Sequence, residues 1–191
     1  MSYFGQPLLL MFLGSPGSGK SYFARAVANK LNAVRINGDS MRLSMFGSRE
    51  ETERIYKSGN RAVLNDYVFN GLDYVAEQII MRGHDVVYDA HHNKRTDREK
   101  LEEIAIKHNA KPILIWIRTP FEIALQRCQS RQDLADQRRL TEEKTREVIA
   151  RHQVATDDPA DEEFVINIDG QISFEEQFAS FQTQLGVIND K

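Results

Sequence analysis

The chain has 191 residues, 41% hydrophobic and 28% charged, which excludes a fibrous or wholly disordered protein and sets one domain over residues 1–191 as the expectation. Its 25 Lys and Arg against 28 Asp and Glu leave a net charge of −3, which argues against gripping nucleic acid by bulk charge. The single cysteine, Cys128, forms no internal disulfide and suits a reducing compartment.

Met1 to Pro7 carries no Lys or Arg, and the apolar run Leu8–Leu13 is too short for an export signal or a membrane-spanning helix. The expectation is a cytoplasmic protein with no membrane partner. That run predicts a buried strand entering a turn at Gly14, followed by a helix over Ser21–Leu31 and a short strand over Ala33–Asn37. From Ser48 to Arg82 the apolar residues step by threes and fours, which predicts two helices divided at Gly59 and ended by Gly83. Asp85–Ala90 predicts a second buried strand. Thr96 and Glu99 form a candidate capping box opening a helix that runs to about His108.

Pro112–Ile117 predicts a further strand, in which Trp116 is expected to be core. Thr119-Pro120-Phe121-Glu122 repeats the capping signature before a helix to about Arg131, and another helix covers Thr141–His152. Phe164–Ile168 predicts the last strand, and Ser173 with Glu176 caps a final helix ended by Gly186. Short apolar strands alternating with helices imply a parallel sheet covered on both faces.

Gly14-Ser15-Pro16-Gly17-Ser18-Gly19-Lys20-Ser21 fits the phosphate-loop pattern G-x-x-x-x-G-K-[ST], and it lies between a predicted strand and a predicted helix. Glycines let backbone N–H groups turn inward around an anion, and the helix N-terminus adds partial positive charge. Lys20 is placed to bridge the β- and γ-phosphates of a nucleotide, and the Ser21 hydroxyl to bind Mg²⁺. Asp89, at the carboxyl end of its strand, is a candidate for the metal or its water shell.

Asp39 and Arg42, three apart, share a face if a helix begins there; that Asp is a candidate base and that Arg an anion clamp. Arg127 and Arg131 lie four apart on one helix face and suit stabilisation of a phosphoryl group in transfer. Arg138 and Arg139 read equally as functional or as a solvated basic face paired with Glu122, Asp133 and Asp136. His91 and His92 point apart on a strand and make a poor zinc site; they are loop residues near an acceptor pocket or carry no special role. Cys128 reads as packing.

The phosphate loop, the Asp39-x-x-Arg42 pair, Asp89 and the Arg127/Arg131 helix together resemble the small P-loop kinases related to 5′-hydroxyl polynucleotide kinase and the zeta-toxin-like kinases. The resemblance implies a three-layer α/β/α P-loop NTPase fold. Its sheet has five parallel strands in the order 2-3-1-4-5, and a helical lid covers about residues 127–140. It further implies ATP with Mg²⁺ and Asp39 as base for an acceptor hydroxyl. Arg42 becomes the clamp on the acceptor, and Arg127 and Arg131 become lid arginines over the phosphates. A nucleoside, a sugar nucleotide or a nucleic-acid 5′-end are all candidate acceptors, and the acidic balance favours a small one. A nucleoside triphosphate hydrolase and a non-enzymatic nucleotide-sensing module are the alternatives.

Overall fold

Alternation along one short strand organises the molecule. In β1 (Leu8–Leu13) all six side chains are buried, and successive residues face opposite sides of a sheet. Leu8, Leu10 and Phe12 join one core with Phe23, Val27, Phe181 and Leu185, whereas Leu9, Met11 and Leu13 join a second with Leu72, Ala76, Ile80 and Leu101. A strand apolar on both faces must lie inside a covered parallel sheet. The computed structural model describes residues 5–130 and 141–189 and has that arrangement. Its five strands are all parallel in the order β2-β3-β1-β4-β5, with β2 at Val34–Asn37, β3 at Val86–Asp89, β4 at Lys111–Arg118 and β5 at Val165–Asp169.

Among the described residues eight helices complete a three-layer α/β/α P-loop NTPase fold: α1 Lys20–Leu31, α2 Gly38–Phe46, α3 Arg49–Ile55, α4 Arg61–Ile80, α5 Arg95–Lys107, α6 Phe121–Gln129, α7 Glu142–Ala155 and α8 Phe174–Asn189. One π turn, Tyr56–Asn60, joins α3 to α4, and Gly59 divides it with a φ of 106°. Residues 131–140, which include Arg131, Arg138, Arg139, Asp133, Asp136 and most of the expected lid, lie outside the described residues. Among the described residues no helix is long and apolar enough to cross a membrane.

Three expected helix ends differ. The Thr96/Glu99 box does not form. Instead α5 starts at Arg95, whose N–H donates to Asp157 Oδ2 at 3.0 Å, so a carboxylate 62 residues away takes the helix N-terminus. Thr119 does not cap α6 either, because its hydroxyl donates to Ser18 O in the phosphate loop at 2.8 Å. Gly186 does not end α8, which continues to Asn189; the glycine has no left-handed φ and simply sits in the helix. The Ser173/Glu176 box does form, with Ser173 N–H donating to Glu176 Oε2 at 3.0 Å and Glu176 N–H to Ser173 Oγ at 3.3 Å.

Candidate functional site

All five strands end at one edge, and the strand order reverses beside β1, so a crevice opens at its carboxyl end. The loop Gly14–Ser21 fills that position. Gly14, Gly17 and Gly19 take φ of 142°, 84° and 106°, conformations open to glycine and strained for other residues. Gly17 is also packed against α6. A Cβ there would lie 2.9 Å from the sulfur of buried Cys128 and 2.8 Å from the Ala124 carbonyl carbon. Lys20 is buried, and its Nζ donates to Gly14 O at 2.5 Å and Ser15 O at 2.9 Å, so the ammonium is held along the loop. Ser18 O ties the loop to its surroundings by accepting from Thr119 and, at 3.4 Å, from Arg127 Nη1.

Asp89 ends β3 and is 4% exposed. Its Oδ1 accepts from Ser21 Oγ at 3.0 Å, so hydroxyl and carboxylate stand together at the loop's mouth. Its Oδ2 is taken by Arg35 on β2, through Nε at 2.9 Å and through Nη2, and by Asn37 Nδ2 at 3.1 Å. Arg35 is absent from the sequence-based candidates. The signal available was its place two residues before Asn37 on the strand beside β3, where Asn37 registers with Asp89.

Asn37 also caps α2, its Oδ1 accepting from Ser40 N–H at 2.9 Å. The helix that begins there brings Asp39 and Arg42 together: Arg42 Nη1 donates to Asp39 Oδ1 at 3.1 Å. Arg42 is held further by Tyr56 OH at 2.8 Å, Asn65 Oδ1 at 3.1 Å and the face of Phe69 at 5.5 Å. Tyr56 opens the π turn and Asn65 lies in α4 just after it, so the junction of these two segments fixes the arginine's orientation.

The two adjacent histidines separate completely. His92 is core: its Nδ1 accepts from Phe12 N–H at 3.2 Å, and burial pulls its pKa down to about 3. His91 opens onto the cleft, with its ring centroid 5.4 Å from that of His152 on α7. Desolvation by the cleft walls, then the charge of Lys20 and the neighbouring His152, hold His91 well below the usual histidine value. His152 is drawn down to about 4 by burial and then by Lys20. Both rings are therefore neutral near pH 7. Among the described residues no group of three His, Cys, Asp or Glu is arranged to hold a metal by itself.

Two cavities meet at this edge. One, of about 770 Å³, runs from the loop past Lys20 and Ser21 to Arg127, Gly170 and Gln177. The other, of about 330 Å³, is enclosed by α2, α3, the π turn and α4, and is lined by Arg42, Arg49, Tyr56, Arg61 and Asn65 among others. Asp39, Arg49 and His91 line both, so the carboxylate stands at their junction. Arg127 reaches the larger cavity. Trp116 is only partly buried, packs beneath the Arg118 guanidinium at 3.9 Å and lines a third cavity of about 280 Å³ with His152.

Solved structures share this fold. A gluconokinase from Sinorhizobium meliloti matches with a TM-score of 0.67 and 16% identity, covering 98% of this chain and 95% of that one. A sugar kinase from Janibacter sp. matches equally well, at 16% identity over 96% and 97% of the two chains with a TM-score of 0.67. The APS kinase CysC of Mycobacterium tuberculosis, in complex with AMPPNP and APS, matches at 17% identity over 95% and 98%, with a TM-score of 0.61. No curated protein matches significantly. The AAA domain family (AAA_33) matches residues 9–155, which contain the phosphate loop, Asp39, Asp89 and Arg127. The chain belongs to the AAA domain family and carries it on a P-loop NTPase fold.

Proposed function

We propose that residues 1–191 act as one ATP-dependent kinase domain that transfers the γ-phosphate to a hydroxyl of a small acceptor. The observation that carries this reading is the position of Asp39. It stands where a cavity running along the phosphate loop meets a second, smaller cavity lined by fixed polar groups. A triphosphate in the larger cavity and a hydroxyl compound in the smaller would meet at this carboxylate. Water hydrolysis or nucleotide sensing has no need of the second cavity. The similar structures, a gluconokinase, a sugar kinase and an APS kinase bound to AMPPNP and APS, support the same class.

In this reading the loop N–H groups and Lys20 hold the β- and γ-phosphates, with the ammonium leaving Gly14 O and Ser15 O for phosphate oxygens. Asp39 accepts the acceptor's hydroxyl proton. The oxygen then bonds to the γ-phosphorus while the bond from that phosphorus to the β–γ bridging oxygen breaks, and ADP leaves with the electron pair. Lys20 and Arg127 offset the charge spread over the moving group, joined by Arg131. Arg42, braced by Tyr56 and Asn65, clamps the acceptor.

Ser21 Oγ and Asp89 Oδ1 are hard oxygen donors side by side, a set that fits Mg²⁺, and Arg35 and Asn37 hold the other carboxylate oxygen in place. Mg²⁺ held there would supply positive charge against the phosphates. A cavity of about 330 Å³ suits a nucleoside or sugar-sized acceptor better than a long nucleic acid. The test is transfer of labelled γ-phosphate from ATP to a panel of nucleosides, sugars, sugar acids, UDP-sugars and 5′-hydroxyl oligonucleotides. A labelled small-molecule product is expected. ATP hydrolysis with no labelled product would overturn the kinase reading, and labelling of the oligonucleotides alone would overturn the small acceptor.

A further inference from the structure

Gln177, in the first turn of α8, is 3% exposed and lines the larger cavity. Its Nε2 donates to Asp169 O at 2.9 Å, which settles the amide's orientation, because the reverse would set two carbonyl oxygens against each other. Oε1 is left as a buried acceptor with no hydrogen-bond donor among the described residues. Such a group is rare in a folded protein, and a ligand that supplies the donor accounts for its retention.

The strand order says which part of a nucleotide reaches it. Asp39 and His91 follow β2 and β3 on one side of β1, whereas Gly170, Ile172 and Gln177 follow β5 on the other. With the γ-phosphate facing Asp39, the nucleoside extends away from it, along Gly17 and Arg127, to the end formed by Gly170, Ile172 and Gln177. We propose that Gln177 Oε1 accepts a hydrogen bond from the exocyclic 6-amino group of adenine and thereby selects adenine over 6-oxopurine nucleotides. The inference rests on the nucleotide reading above. A 6-oxo group in the same place would oppose oxygen to oxygen and leave both unpaired.

Equilibrium binding to the full chain with Mg²⁺ tests this, using ATP, purine riboside triphosphate (6-H) and inosine triphosphate (6-oxo). For the unmodified protein the 6-H analogue is expected to bind about tenfold more weakly than ATP, and the 6-oxo analogue on the order of a hundredfold more weakly. In Gln177→Met, ATP affinity falls to that of the 6-H analogue and discrimination among the three disappears. Equal binding of all three by the unmodified protein, which needs no variant to fold, would overturn the base contact alone. A variant that weakens all three by the same factor would show a structural role only and overturn it too. If none of the three binds, the nucleotide reading fails, and this inference with it.

Discussion

Arg98→Met removes the most completely buried charge in the described chain. Arg98 is 0% exposed, and its guanidinium donates Nε to Glu163 Oε1 at 2.6 Å and Nη2 to Oε2 at 3.1 Å. The remaining N–H groups reach the carbonyls of His92 at 3.1 Å, Asn93 at 3.4 Å, Asp157 at 3.3 Å and Asp158 at 3.2 Å. One side chain therefore joins the segment carrying His91 to the segment after α7. Methionine fills similar volume but leaves the Glu163 carboxylate, 1% exposed, with Ala160 N–H and the longer Arg95 contact. Breaking a buried pair from one side costs about 3–5 kcal/mol. Against a total stability of about 5–15 kcal/mol, that lowers Tm by roughly 6–20 °C in a chain of this size.

Urea unfolding of Arg98→Met, Glu163→Leu and the double variant measures the coupling. The double variant is expected to be more stable than the sum of the single losses by at least about 1 kcal/mol, because it leaves neither charge buried alone. Burial pushes the Glu163 carboxyl up, but the Arg98 hydrogen bonds, Ala160 N–H and Arg95 together hold it below its ordinary value. The stability contributed by its ionised form is present above its unfolded pKa and is lost as pH falls through the lowered folded one. A loss below about 1 kcal/mol in Arg98→Met, or strict additivity, would refute the reasoning.

Gly17→Ala places a methyl group against the Ala124 backbone at a φ of 84°, so α6 or the loop must shift; a loss on the order of 2–3 kcal/mol and weaker nucleotide binding are expected from thermal unfolding and calorimetry. Unchanged values would show that the loop does not depend on this close approach. Lys20→Ala removes the ammonium facing the transferred phosphate and should lower turnover by on the order of a hundredfold or more in a steady-state assay. Wild-type turnover in that variant would mean the loop is only a structural turn. His152 and His92 have folded pKa values of about 4 and about 3, below the unfolded 6.5, so the unfolded chain binds more protons in that interval. Stability should fall as pH drops from 6.5 toward 4, and His152→Gln should reduce the slope by about one proton, read from urea unfolding at several pH values.

The five strands and the phosphate loop are legible in the sequence because their signals are local: short apolar runs in β1, β3 and β4, shorter apolar stretches interrupted by polar residues in the edge strands β2 and β5, a run of glycines, and Lys-Ser opening a helix. Asp39 and Arg42 are legible for the same reason, since three residues on a helix make one contact. What escapes notice depends on partners far along the chain. Thr96 and Thr119 both carry a capping signature, yet Asp157 takes the N-terminus of α5 and Ser18 O takes the Thr119 hydroxyl. Arg35 gains its meaning only from the pairing of β2 with β3, and His92 only from its reach to Phe12 N–H across the sheet. The boundary between His91 and His92, identical residues with opposite surroundings, is set by the fold and not by any property of the pair.

Asp39 carries the central claim, and the direct measurement is γ-phosphate transfer by Asp39→Asn beside its affinity for ATP. Asparagine keeps the size of the side chain and a carbonyl oxygen for Arg42, but it does not take up the hydroxyl proton. With the best acceptor of the panel, the variant is expected to lose transfer by about 10²–10⁴-fold, the usual weight of a positioned base, while ATP affinity stays within a few-fold. Near wild-type transfer with ATP still bound would contradict the account.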